Sequence, residues 1–234
     1  MALEYKKYLK KEESNASFLR MMYKPLGFYI AKALSKTKIS PNQITYLSFF
    51  LFSLAGFFFY LGKYPYLVIG ALCVQLGHIS DVSDGMLARI KGITSTLGKW
   101  LDDQATMFSR VILYLGITLG LYRFNPQSHI WILGFLAISA RYVYELTYTY
   151  FKGLLPHSGN IFEEEKRKRN KLLKNFYFTD NLLVVLISLA GIFNMIFPLL
   201  IFIAVYGWLF NLAIFVVFTR KISTYERSIK NKSK

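Results

Sequence analysis

Apolar residues in this chain fall in long blocks, not in the alternation of strands or the narrow stripe of a soluble helix. Six blocks stand out, at roughly 43–62, 66–90, 96–122, 128–151, 180–196 and 199–219. A helix needs about 20 residues to cross a bilayer, so each block is read as a crossing. The fifth, at 17 residues, is the shortest. Five of the six prolines (Pro41, Pro65, Pro126, Pro156, Pro198) lie between blocks or at their ends, where a missing N–H is tolerated. Ser40-Pro41-Asn42-Gln43 predicts a helix start in detail: Ser40 caps, Pro41 takes the first position, and Gln43 reaches back. Asn125-Pro126 repeats the cap-then-proline pattern.

Ahead of the first block, 18–34 mixes Phe18, Leu19, Met22, Tyr23, Leu26, Phe28, Tyr29 and Ile30 with Arg20, Lys24 and Lys32. This is the composition of a helix lying along a membrane surface. The expected fold is therefore an all-α integral membrane protein, six transmembrane helices preceded by a cytoplasmic interfacial amphipathic helix. It divides into a tail and interfacial helix at 1–39, a six-helix domain at 40–220 and a basic tail at 221–234.

Composition supports the membrane reading. The 234 residues are 54% hydrophobic and 18% aromatic, which excludes disordered, fibrous and collagen-like classes. A net charge of +16 invites a nucleic-acid partner, but the distribution of charge argues against one. Segment 1–42 holds nine lysines and arginines, 89–99 three, 152–175 seven and 219–234 six, whereas the opposite connections hold only Lys63 and Arg123. By the positive-inside rule both termini are cytoplasmic, as an even number of crossings requires, and the location is the cytoplasmic membrane. The first sixteen residues are highly charged, and no short apolar stretch with a cleavage site follows, so the amino terminus is expected to be retained. In 163–171, Glu163, Glu164 and Glu165 each precede a basic residue by four, the pattern of a short solvated helix. The single cysteine, Cys73, excludes a disulfide framework and a multi-thiolate metal site.

The unexpected residues are acidic. Asp81, Asp84, Asp102 and Asp103 fall within the second and third blocks, where a carboxylate costs several kcal/mol unless it is paired. About the turn near Ile93, Asp84 and Asp102 are each nine residues away, roughly 14 Å of helix, and Asp81 and Thr106 lie at similar depths further in. A helical hairpin would set these positions facing one another. Lone aspartates at helix ends would read as caps; two facing pairs point to a hard divalent cation, Mg²⁺ or Mn²⁺.

Asp81-Val-Ser-Asp84-Gly85-Met-Leu-Ala88-Arg89, followed by Gly98 and Asp102, resembles the signature of the CDP-alcohol phosphotransferases, D-x2-D-G-x2-A-R-x8-G-x3-D-x3-D. Seven of the eight fixed positions are present. The 40–45 segment and the six-crossing plan are also similar to the family's. The resemblance implies transfer of a substituted phosphoryl group from a CDP-alcohol to an acceptor hydroxyl with release of CMP, in phospholipid or related phosphodiester synthesis. It implies Asp81, Asp84 and Asp102 as ligands of one or two Mg²⁺ or Mn²⁺ ions. Gly85, Ala88, Arg89 and Gly98 would lie along the nucleotide, the small residues leaving room and Arg89 facing the phosphates or anchoring at the interface. It also implies a homodimer, a lipid bilayer around it, and a small polar or lipid alcohol as acceptor.

The eighth position departs from the family: Thr106 replaces the aspartate that the resemblance makes both metal ligand and base. Threonine takes no proton near neutral pH. Asp103, about 60° around the helix from position 106, is the substitute base this reading offers. The alternative is a catalytically silent relative that binds nucleotide or metal as a partner or regulator.

Four further residues complete the picture. Arg110 lies one turn beyond Thr106, and Arg141 lies four residues before Glu145. The arginines are read either as a basic pocket for an anionic acceptor or, for Arg141, as an intrahelical ion pair with Glu145. Asp180 is expected to cap its helix. His78, one turn from Asp81, is expected to be a packed, hydrogen-bonded histidine.

Overall fold

The computed structural model describes residues 18–154 and 178–232. Among them are seven helices: α1 (Phe18–Ser35), α2 (Pro41–Leu61), α3 (Tyr64–Lys91), α4 (Thr96–Phe124), α5 (Ser128–Leu154), α6 (Asp180–Ile192) and α7 (Ile196–Lys232). The expected helix at 163–171 and the amino-terminal tail lie outside the described residues. Five helices, α2 to α5 and α7, are long and apolar enough to cross a membrane. Among the described residues the fold is all-α, that of an integral membrane protein.

Local chemistry sets the helix ends. Ser40 Oγ accepts from the Gln43 amide at 3.3 Å while Gln43 Oε1 accepts from the Ser40 amide at 2.8 Å, the reciprocal cap expected from the sequence. α2 and α3 end on Gly62 and Gly92, both at φ +67°, a left-handed conformation that glycine adopts without steric cost. Ser95 Oγ caps α4 by accepting from the Gly98 amide at 3.0 Å.

Two boundaries differ from expectation. The fifth block stops at Ile192, because Asn194 turns left-handed (φ 56°) and the Met195 amide donates back to the Ala190 carbonyl at 2.7 Å. Its 13 residues rise about 20 Å, short of a hydrocarbon core about 30 Å thick. Conversely, α7 continues through the basic segment to Lys232, since no glycine or proline after Phe218 interrupts it.

α2 is the central support. It packs against both α3 and α4, whereas α3 and α4 do not pack along each other. The expected hairpin is therefore open, with α2 behind it. Glycines allow this: a methyl group on Gly116 would strike the Gly56 carbonyl, and one on Gly120 the Phe59 carbonyl. Small residues of this kind let membrane helices approach backbone to backbone. Phe52, Phe59, Val74, Leu113 and Ile117 fill the interior beside this crossing. α6 packs on α3, and α5 packs on α4 and α7.

α1 packs on α3 through Tyr23, Phe28 and Ala31 and leaves Phe18, Met22, Leu26, Tyr29 and Ile30 exposed. Tyr23 donates to Gln75 at 2.9 Å, and Gln75 donates to Ser188 at 2.9 Å, joining α1, α3 and α6. Lys91 donates to the carbonyls of Thr37 and Ile39 at 2.8 and 2.7 Å, fastening the end of α3 to the α1–α2 connection.

Candidate active site

The open side between α3 and α4 carries the acidic residues. Asp84 is buried on α3, and its Oδ2 accepts a 2.6 Å hydrogen bond from Thr45 of α2. Asp81 and Asp102 are half-buried, and both of their charges act on Asp84. Across the opening, Thr106 of α4 donates to Asp81 Oδ1 at 3.3 Å. The register expected of the two helices is thus present even though their backbones stand apart. Asp103 is exposed.

The motif's two glycines differ in the room around them. A Cβ on Gly85 would meet only the Arg89 guanidinium, at 3.5 Å or more. Ala88 and Arg89 are half-buried beside it. Gly98 lies at the start of α4, where a Cβ would stand 3.1 Å from Ser95 Oγ and 3.4 Å from Asn42 Oδ1 and so would crowd both. The 40–45 segment therefore meets the motif twice, through Asn42 and through Thr45.

A second cluster adjoins the first. Arg110 Nε donates to Asp180 Oδ1 at 3.0 Å, and Arg141 Nη2 donates to Asp180 Oδ2 at 2.8 Å. Arg141 also pairs with Glu145 at 2.9 Å, and the Arg110 guanidinium lies 4.1 Å from the centre of the Phe52 ring. Asp180 was expected as a cap; instead both of its oxygens serve guanidinium groups, one from α4 and one from α5. The ion pair between Arg141 and Glu145 is present, but it is only part of a larger arrangement.

His78 stands between the clusters. Its Nε2 lies 3.1 Å from Asn181 Oδ1, the Tyr23 ring meets it edge-on at 4.5 Å, and it senses the charges of Asp81, Arg110 and Asp180. It is the packed, hydrogen-bonded histidine that the sequence suggested. Thr45, Asn181 and the bridging role of Asp180 were missed; Thr45 had a signal, being the last residue of the 40–45 segment.

Whether a divalent cation suits this site is a question of donor kind and of gathering. A buried carboxylate beside two like charges is unfavourable without a cation, and hard carboxylate oxygens are what Mg²⁺ and Mn²⁺ take. Among the described residues no three acidic, histidine or cysteine side chains are already drawn together around one point. The donors fit in kind, and the side chains have to converge to hold an ion.

The chain is similar to known proteins. The family model described as CDP-alcohol phosphatidyltransferase matches residues 38–159. An archaetidylinositol phosphate synthase from Pyrococcus horikoshii is 26% identical over 181 residues, covering 77% of this chain and 84% of its own length. An uncharacterised protein from Aquifex aeolicus is 27% identical over 150 residues, 64% of this chain and 74% of its own. The crystal structure of Mycobacterium tuberculosis phosphatidylinositol phosphate synthase (PgsA1) with CDP-DAG bound shares the fold, with a TM-score of 0.57. That match has 19% identity and covers 85% of this chain and 92% of the other.

Proposed function

The chain belongs to the CDP-alcohol phosphatidyltransferase family, and we propose that Asp81, Asp84 and Asp102 hold the donor through one or two Mg²⁺ or Mn²⁺ ions while Arg110 and Arg141 hold an anionic acceptor. The protein is a membrane transferase of phospholipid synthesis, moving a phosphatidyl-type group from a CDP-alcohol to an acceptor hydroxyl. One observation carries the site assignment: the α3 aspartates face α4 across an open gap, with α2 supporting both helices from behind.

Each part then has a task. Asp84, steadied by Thr45, would be the fixed ligand, and Asp81 and Asp102 would complete the set. When bound, the cation neutralises the diphosphate and stabilises the charge that CMP carries away. Gly85 and Ala88 leave the surface of α3 open for the nucleotide, and Gly98 lets the start of α4 and its Ser95 cap sit close to Asn42 beside it. Arg89 faces the phosphates. Arg110 and Arg141 anchor the acceptor so that its hydroxyl lies in line with the phosphorus, which replaces a diffusive encounter by a positioned one.

The acceptor proposed is a phosphorylated polyol. The paired arginines support it, as do the names of the Pyrococcus and Mycobacterium relatives. Asp103 takes the acceptor's proton, since Thr106 cannot. α6 acts as a shortened sixth crossing, both termini and the exposed face of α1 lie on the cytoplasmic side, and the working form is a homodimer.

Purified protein given Mn²⁺, a labelled CDP-alcohol and separate acceptors (inositol phosphate, glycerol phosphate, serine, a lipid alcohol) is expected to release CMP with a phosphorylated polyol. Thr106 favours a second reading, a member that binds donor without turnover. Tight donor binding with no CMP under any acceptor would establish that reading instead.

A further inference from the structure

Asp180 is not explained by neutralisation alone. It stands in the first turn of α6, where a carboxylate is favoured by the helix dipole and would ordinarily accept from free backbone amides. Its two oxygens are committed elsewhere, Oδ1 to Arg110 and Oδ2 to Arg141. Three donors around it remain buried without partners: Arg110 Nη1, Arg141 Nε and the Tyr114 hydroxyl. Tyr114 lies one turn beyond Arg110 on α4 and feels the charges of both arginines and of Asp180. Unmet buried donors are costly, and three beside one carboxylate would each gain from an oxygen acceptor that reached them.

We propose that Asp180 is a positioning residue, fixing Arg110 and Arg141 so that their remaining N–H groups, with the Tyr114 hydroxyl, receive an oxyanion. The proposal rests on the assignment of the two arginines to the acceptor, and it adds that α6 organises them. The physical reason is geometric. A guanidinium is a planar fork of five donors, so fixing one edge determines where the others lie. Arg110 is held additionally by the Phe52 ring and Arg141 by Glu145, leaving Asp180 as the link that sets their mutual spacing. Asn181, the next residue, binds His78 and anchors the same turn to α3.

The test compares wild type with Asp180→Asn and Asp180→Glu, measuring KM for the phosphorylated acceptor, KM for the CDP-alcohol, and kcat. Asp180→Asn is expected to raise acceptor KM at least tenfold with donor KM within about twofold, and Asp180→Glu to recover part of the loss. A parallel change in both KM values, or an unchanged acceptor KM with only a lowered melting temperature, would overturn the proposal and leave a structural ion pair. A second readout needs no turnover: inorganic phosphate is expected to raise the melting temperature of detergent-solubilised wild type and not of Asp180→Asn. No phosphate-dependent shift in wild type would overturn the anion site. Turnover with an uncharged acceptor alone, alongside a phosphate shift that needs Asp180, would sink the acceptor assignment and keep the positioning role.

Discussion

Thr106 Oγ1 lies 3.3 Å from Asp81 Oδ1, so the position that the family motif gives to a fourth carboxylate is filled by a hydroxyl donating to the first. This hydrogen bond joins α3 to α4 across the opening, and it limits the site's charge. A fourth aspartate here would repel the other three and demand more cation; a threonine ties one of them down.

The first prediction concerns that exchange. Thr106→Asp should raise the rate of CMP release and tighten Mn²⁺ binding, because it restores both a base and a ligand. A general base contributes about 10²–10⁴-fold, so a gain of at least tenfold is expected. Initial rates across a Mn²⁺ titration measure both effects.

Asp103→Asn tests the proposed substitute base. CMP release should fall about 10²-fold or more, while Mn²⁺ binding, followed by its paramagnetic resonance signal, stays near wild type. Unchanged release would remove Asp103 from the chemistry.

Thr45→Val removes the 2.6 Å bond to the buried Asp84 carboxylate. A hydrogen bond of this kind contributes about 0.5–1.5 kcal/mol, so the melting temperature without metal should fall slightly. More Mn²⁺ should be needed for half-maximal activity, since Asp84 loses its fixed orientation.

Two glycines should separate fold from site. Gly116→Leu puts a side chain into the α2 backbone and should prevent isolation of folded protein, overpacking of this kind costing about 1–3 kcal/mol or more. At Gly85 an added Cβ meets only the Arg89 guanidinium, so Gly85→Leu projects into the open side. It should melt like wild type yet lose CDP-alcohol binding.

Much of this was legible in the sequence, for reasons particular residues make plain. The Ser40–Gln43 cap and the α3 aspartates are local patterns, fixed by spacing along one helix. Contacts between distant segments carried no such periodicity. Thr45 and Asp84 are 39 residues apart, and Asp180 and Arg110 are 70 apart, so nothing local marked them as partners. Asp180 looked like a cap because its neighbourhood is a helix start; its partners are supplied by tertiary packing. The hairpin of α3 and α4 was expected because they adjoin in sequence. The contact of Gly116 with Gly56 puts α2 against α4 instead, and so leaves the opening in which the acidic residues face each other. The early end of α6 turns on the backbone of Asn194, a residue that the apolar pattern runs straight past.

The central claim is that Asp81, Asp84 and Asp102 form a metal-dependent donor site served by an anionic acceptor. The most direct measurement follows CMP released from a labelled CDP-alcohol by the purified protein with inositol phosphate or glycerol phosphate, before and after chelation with EDTA and on return of Mn²⁺. Release should stop with EDTA, return with Mn²⁺ and be absent in Asp84→Asn. Release that persists in EDTA, or that survives in Asp84→Asn, would contradict it.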